Sequence, residues 1–149
     1  MDKQIIDFLI RAKKATYANS EAERSAEPSR PNSIDLHYTE GNLKYIDTYL
    51  GGEKFAGEEA IWKDDVAIWV MNYIGRLTGD GFSSDFHLEA LKLIPEDMPY
   101  RGPALYEKGD YTFKCSVQGD FDWFTGYEEI LFKGKQVYEC NFHGGSIKR

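Results

Sequence analysis

The sequence has few cysteines and no long hydrophobic run, and these two absences exclude several classes of protein. Its 149 residues contain two cysteines, Cys115 and Cys140, too few for the disulfide framework of a small secreted domain. Both lie in strand-like segments, so we interpret them as buried thiols in a reducing compartment. No apolar stretch approaches the roughly 20 residues of a membrane span, and the charged N-terminal segment is unlike a signal peptide. We therefore expect a cytoplasmic protein with no membrane partner.

Positive charge is also scarce. Lysine and arginine total 18 against 25 aspartates and glutamates, which gives a net charge of −7. Binding to nucleic acid phosphates needs a basic patch, so direct nucleic-acid binding is not expected. The acidic balance is compatible with a cationic ligand. With 42% hydrophobic residues, the chain can bury the core of a single domain over residues 1–149.

Recognisable catalytic, metal and cofactor motifs are missing. The three histidines, His37, His87 and His143, lack metal-ligand spacing, and the glycine-rich segments lack the pattern of a phosphate cradle. The sequence therefore predicts no metal and no cofactor. We place His87 on a helix surface. His37 and His143 lie at the ends of predicted strands, where either could act as a general base beside a carboxylate in a small-metabolite hydrolase.

Hydrophobic periodicity predicts helices and strands in the same order twice. Residues 3–15 form an amphipathic helix capped by Asp2, and a second helix begins at Ser83 or Ser84 and stops at Pro95. Three strands are predicted in residues 35–77, with turns near residues 40–41, 51–52 and 63–65, and three more after residue 110. Residues 19–33 are a polar loop, either mobile or a lid over a groove, and residues 95–110 are a second, Pro-rich loop.

Two stretches, residues 57–76 and 126–145, match without gaps, which indicates an internal duplication. The identical pairs are Gly57/Gly126, Glu59/Glu128, Ile61/Ile130, Asn72/Asn141 and Gly75/Gly144. We therefore predict an α+β fold in which two α-β-β-β repeats, about 3–76 and 82–145, form one antiparallel sheet with both helices packed on one face. The alternative is that two unrelated hairpins look alike because both need glycine and alternating residues.

Two glutamates stand at equivalent places on the middle strands. Glu59 and Glu128 alternate with large apolar residues, so either they cap strand ends in water or they line a pocket with raised pKa values. In the second case they attract an organic cation that stacks on aromatic rings. The candidate aromatic residues are Trp62, Trp69, Trp123 and Tyr127. The sequence thus favours a domain that binds or senses a small organic molecule. A protein-interaction module using the same aromatic surface is an alternative. The sequence leaves open whether two copies of the chain form a homodimer.

The runs "DLHYTEGNLKYIDTYLGGEKFAGEEAIW" and "VYECNFHGG" resemble an uncharacterised bacterial family. Its domain stands alone or follows a Cro/cI-type helix-turn-helix, which implies a cytoplasmic domain of unknown function associated with transcription regulators. The resemblance supplies no catalytic residues. The doubled helix-and-strand plan is also similar to GyrI-type effector-binding domains, which use two βαββ units and a central glutamate to hold organic cations. This chain is circularly shifted against that plan, so the second likeness is one of architecture.

Overall fold

The computed structural model describes residues 2–149, which form two helices and one sheet. Helix α1 spans Lys3–Ala15 and helix α2 spans Ser84–Lys92. The strands are β1 (Ile34–Glu40), β2 (Leu43–Gly51), β3 (Lys54–Lys63), β4 (Val66–Leu77), β5 (Leu105–Lys108), β6 (Tyr111–Asp120), β7 (Trp123–Phe132) and β8 (Lys135–Ser146). None of the helices formed by residues 2–149 is long and apolar enough to cross a membrane.

Both helices begin at side-chain caps that the sequence predicts. The Asp2 carboxylate accepts a hydrogen bond from the Gln4 amide, and the Ser83 hydroxyl accepts one from the Phe86 amide. The buried residues of α1 recur every three or four positions and pack onto the sheet. Helix α1 contacts β1 and β2, whereas α2 contacts β6, so each helix covers its own half of the same sheet face.

The eight strands form one antiparallel sheet in the order β1-β2-β3-β4-β8-β7-β6-β5. Each half is a meander, and β4 and β8 join the halves at a central seam. The α+β class, the single antiparallel sheet and the placement of both helices on one face are confirmed. The predicted count of three strands in each half is wrong, because each half has four. The three turns predicted in residues 35–77 separate four strands, and β5 is only four residues long, too short to show alternation within its Pro-rich segment.

Tight turns with left-handed residues connect the hairpins. Asp64 and Asp65 both have positive φ, as do Lys133 and Gly134 at the equivalent turn of the second half. Two consecutive left-handed residues are the geometry of a two-residue hairpin whose twist matches the sheet. These turns set the strand registers on both sides of the seam.

The pairing registers of the two halves coincide. Glu59 lies opposite Asp47 on one side and Met71 on the other, and Glu128 lies opposite Cys115 and Cys140. The register also shifts at the same place in both halves, after Ile61 and after Ile130. This agreement extends the sequence match to strand pairing, and internal duplication is our interpretation of it.

The sheet has a helix-covered face and an open face. On the two seam strands, the side chains that face the helices are buried: Trp69, Met71, Tyr73, Tyr138, Cys140 and Phe142. The hydrophobic core is therefore one layer between the sheet and the two helices. The open face carries the alternate residues of every strand.

Candidate functional site

Two carboxylates are completely buried between the sheet and the helices. Glu59 on β3 and Glu128 on β7 each have 0% exposed surface. The interpretation that they cap strand ends in water is therefore wrong. A buried carboxylate needs a charged or hydrogen-bonding partner, and each of the two forms an ion pair with a basic side chain of the same chain.

Glu59 is paired with a lysine from the last turn of α1. The Lys13 Nζ donates hydrogen bonds to Glu59 Oε1 at 2.6 Å and to the Tyr100 carbonyl at 2.6 Å. The Tyr45 hydroxyl donates to the same Glu59 oxygen at 2.5 Å. Burial lowers the pKa of Lys13, and the Glu59 carboxylate opposes that shift. The ammonium is thus held in the core by one carboxylate.

Glu128 is paired with an arginine from the segment before β5. Arg101 donates from Nε at 2.8 Å and from Nη2 to Glu128 Oε1, and the Tyr138 hydroxyl donates at 2.9 Å. His87 Nε2 lies 3.7 Å from the same oxygen. Burial alone would raise the pKa of Glu128, but the charge and hydrogen bonds of Arg101 together with the nearby His87 outweigh burial, and the pKa falls to about 2. The raised pKa expected from the sequence is wrong for Glu128, because the chain supplies its own cation.

A third buried acid, Asp47 on β2, has no such partner. Its Oδ1 accepts a hydrogen bond from the Tyr73 hydroxyl at 2.6 Å. Within residues 2–149, no lysine or arginine forms an ion pair with it. Burial raises the pKa of Asp47 to about 7, and the neighbouring Glu59 charge adds to this increase. Asp47 is therefore the acid of this cluster that a ligand could neutralise.

Asp47, His87 and Arg101 line a groove of about 400 Å³ between the helices and the sheet. We call it the central groove, and define it by Tyr17, Asp47, Tyr73, Phe82, His87 and Arg101. The Tyr17 ring lies between two cations, with Lys13 Nζ 5.3 Å and the Arg101 guanidinium 5.1 Å from its centre. Residues of the loop after α1, including Asn19 and Arg24, form one wall. The predicted lid segment thus borders the groove, and its mobility remains a prediction.

Several polar atoms around this cluster are buried without a hydrogen-bond partner in the described part of the chain. They are Tyr17 Oη, Glu59 Oε2, His87 Nε2 and Glu128 Oε2. Buried polar atoms are nearly always satisfied in folded proteins, by protein, water or ligand. Two of these residues, Tyr17 and His87, line the central groove, which indicates a place where a polar molecule fits.

The predicted site residues do not all come together. Glu59, Glu128 and Trp69 lie on the helix-covered face, but Trp69 is a core residue whose Nε1 donates to the Phe121 carbonyl at 3.0 Å. The other three lie on the open face: Trp62 and Tyr127 are half-buried, and Trp123 is 79% exposed. The sheet itself separates the two groups.

The histidines and cysteines do not form a catalytic pair. His37 on β1 and His143 on β8 are exposed on the open face, with strands β2, β3 and β4 between them. The prediction that His87 lies on a helix surface is wrong. Its side chain is only 13% exposed and packs on Tyr138. The thiols are free and buried, and burial raises the pKa of both Cys115 and Cys140 to about 12. No group of three or more metal-ligating side chains forms a metal site among residues 2–149.

Three important residues escaped the sequence analysis. Lys13 follows Leu9 by four positions, on the apolar stripe of α1, and this spacing was a usable signal. Asp47 alternates with Tyr45 and Tyr49 on β2, which is the same pattern that singled out the two glutamates. Arg101 lies in an irregular segment, where no periodicity indicates which way a side chain points.

Comparison with known proteins identifies one family. A family model described as a domain of unknown function, DUF5680, matches residues 47–147. The matched region contains Asp47, Glu59, Arg101 and Glu128 but not Lys13. No curated protein and no solved structure matches the chain, so neither the regulator association nor the GyrI likeness gains support. Because the family model covers most of the sequence, the chain belongs to this family of domains of unknown function, DUF5680.

Proposed function

We propose that this domain binds a small organic cation in the central groove, with Asp47 as its counter-ion. The observation that carries the proposal is the charge arrangement of the buried cluster. Glu59 is neutralised by Lys13 and Glu128 by Arg101, whereas Asp47 has only the Tyr73 hydroxyl. Ionised Asp47 therefore leaves one uncompensated negative charge beside the groove.

A cation in the groove relieves a specific electrostatic cost. Asp47 and Glu59 face each other on adjacent strands, so their negative charges repel in a region with little water. A positively charged ligand beside Asp47 offsets both this repulsion and the loss of hydration. This role assigns ligand contact to Asp47, while Glu59 and Glu128 hold the neighbouring cations in place.

Aromatic rings favour an organic cation over a bare metal ion. Tyr17, Tyr73 and Phe82 line the groove, together with Tyr49 and Phe55. Cations are attracted to the faces of such rings by roughly 0.5–2 kcal/mol for each favourable contact. A planar or alkylated ammonium, amidinium or guanidinium compound satisfies both the rings and the carboxylate.

A sensing role in the bacterial cytoplasm is part of the same proposal. It is supported by the resemblance to domains that accompany transcription regulators and by the loop after α1, which walls the groove and could report occupancy. In such a role the domain releases its ligand unchanged. We assign no reaction to it.

The test is a thermal-shift screen of organic cations, each paired with a neutral compound of the same shape, followed by calorimetry on the best cation. We expect Asp47→Asn to weaken cation binding at least tenfold and to leave binding of the neutral compound unchanged. The matched control is Glu58→Gln. Glu58 is the neighbour of Glu59 in the chain, but its carboxylate lies on the open face, away from the groove. Equal affinity of wild type and Asp47→Asn for the cation, or no cation binding, would refute the proposal.

A further inference from the structure

The open face of the sheet carries a continuous row of polar side chains. Strand register places each member directly opposite the next across six neighbouring strands. We call this set the polar row: Thr48, Glu58, Asn72, His143, Thr125 and Gln118. Glu58 is its only acid. The row therefore offers mostly uncharged hydrogen-bond donors and acceptors.

Two tryptophans stand beside the polar row on neighbouring halves of the sheet. Trp62 borders a depression of about 560 Å³ and Trp123 borders one of about 220 Å³. Both depressions include Asn72, so they meet at the centre of the sheet. Trp62 on β3 and Trp123 on β7 are three strand spacings apart across the sheet, about 14 Å, and Trp62 lies two residues further along β3 than Ala60, which is in line with Trp123.

The depression beside Trp123 includes two glycines of β8. Gly144 and Gly145 line it, and Gly145 lies directly between Val70 and Trp123 in the strand pairing. A Cβ atom added at Gly145 would lie 2.1 Å from the Asp122 carbonyl oxygen, so glycine is required there. The Asp122 backbone therefore packs directly on Gly145, and the Trp123 side chain beside it is 79% exposed.

We propose that this face binds a neutral oligosaccharide laid across the strands. One face of a sugar ring is made of C–H groups that pack on an indole, and the ring's edge carries hydroxyls. Trp62 and Trp123 supply two stacking surfaces, and Asn72 and His143, which lie to one side of the line joining the two tryptophans, supply hydrogen bonds to the hydroxyls at the ring edges. Among the described residues, no lysine, arginine, aspartate or glutamate lines the depression beside Trp123, which matches a ligand that is polar, uncharged and extended. This proposal concerns the face opposite the central groove and is independent of cation binding.

The test is titration with neutral oligosaccharides of glucose, xylose and N-acetylglucosamine, from one to six units, followed by calorimetry and by the NMR signal of the Asn72 side-chain amide. We expect affinity to rise with chain length, because one ring cannot reach both tryptophans. Trp123→Ala should weaken binding at least tenfold. Leu93→Ala is the matched control, since it removes an exposed apolar side chain at the end of α2.

Two results would overturn the proposal. The first is that no oligosaccharide shifts the Asn72 signal at millimolar concentration, or that Trp123→Ala binds as tightly as wild type. The second is that sedimentation detects a dimer that Trp123→Ala dissociates, in the absence of any sugar binding. In that case the face pairs with a second copy of the chain. Trp123→Phe keeps a ring at this position and should retain part of the affinity, which separates lost stacking from a misfolded variant.

Discussion

Asp47 on β2 and Cys115 on β6 occupy the same position in the two halves of the sheet, each directly opposite the buried glutamate of the next strand. One half thus places a carboxylate where the other places a thiol. The thiol stays protonated, because burial raises the pKa of Cys115 to about 12. The negative charge beside the groove therefore belongs to the first half alone, and this asymmetry defines the ligand-binding end of the cluster.

The ionisation of Asp47 should make the protein less stable as the pH rises. Its pKa is raised from 3.8 to about 7 in the folded state. The folded protein therefore binds this proton more tightly than the unfolded chain does. The resulting stabilisation is complete below pH 3.8 and is lost as the pH passes through about 7. Asp47→Asn removes this loss. Above neutral pH, the free energy of unfolding of the variant should therefore be higher than that of wild type by roughly 2–4 kcal/mol.

Denaturant unfolding of both proteins between about pH 4 and pH 8 checks this expectation. The difference between Asp47→Asn and wild type isolates Asp47 from the other acids of the chain. A difference in the free energy of unfolding that is constant across this pH range would contradict the assignment. It would mean that Asp47 is already ionised at about pH 4 in the folded protein.

Removing the lysine that neutralises Glu59 should be costly. Lys13→Met leaves the Glu59 carboxylate buried with only the Tyr45 hydroxyl, and stranding one partner of a buried pair costs roughly 3–5 kcal/mol. The double variant Lys13→Met with Glu59→Gln should recover much of this loss, because it leaves no buried charge. Chemical denaturation of the single and double variants measures the coupling. Additive losses would show that the two side chains do not depend on each other.

The arginine partner of Glu128 should control the acid side of the stability curve. The folded pKa of Glu128 is lowered from 4.5 to about 2, so its contribution is present above pH 4.5 and is lost as the pH falls towards 2. In Arg101→Met, the largest effect that opposes burial is removed and only the weaker effect of His87 remains, so the pKa of Glu128 should rise from about 2. NMR titration of the Glu128 carboxyl carbon measures both values. An unchanged pKa in Arg101→Met would contradict the pairing.

Two equivalent glycines make room for aromatic rings of the neighbouring strand. A Cβ atom at Gly126 would lie 2.2 Å from the Phe142 ring, and one at Gly57 would lie 2.4 Å from the Tyr73 hydroxyl. Gly126→Ala should therefore destabilise the fold by roughly 1–3 kcal/mol, since the buried Phe142 ring has little space to move. Thermal unfolding checks this, with Ser116→Ala on the exposed side of β6 as the control. A melting temperature equal to that of wild type would show that the ring adapts freely.

Ligand binding should reduce the mobility of the loop after α1. This segment walls the groove through residues such as Asn19 and Arg24, but few backbone hydrogen bonds fix it beyond Ala22 and Ser25. We expect fast amide exchange across residues 20–30 in the free protein and slower exchange when a cation occupies the groove. Strong protection in the free protein would contradict its role as a lid.

Most of the fold follows from local patterns. The span of α1, the caps at Asp2 and Ser83 and the three turns of the first half are visible in spacing and turn chemistry. Strand β5 escapes because four residues in a Pro-rich segment give no periodic signal. The seam between β4 and β8 is also beyond local reasoning, because pairing between distant strands is decided by the whole sheet.

The site is less predictable because it depends on which cations reach the core. Alternation along β3 and β7 singled out Glu59 and Glu128, which are buried, but it could not reveal that each would be paired with a cation of the same chain. Lysines and arginines are almost always solvated, so Lys13 and Arg101 looked like surface residues. The aromatic candidates lie on both faces of the sheet. The sequence could not separate them, because an aromatic residue type alone does not indicate whether the side chain faces the core or the solvent.

The seam between β4 and β8 has a consequence for the order in which the chain folds. Within each half, every strand pairs with its neighbour in sequence, so only short loops have to close. The seam instead joins Trp69 to Ser146 and Leu77 to Tyr138, across most of the second half. Its loop-closure entropy is the largest in the sheet. We expect the two meanders to form early and independently, and the seam to set the folding rate, so substitutions at the seam should slow folding more than equally destabilising ones within a hairpin.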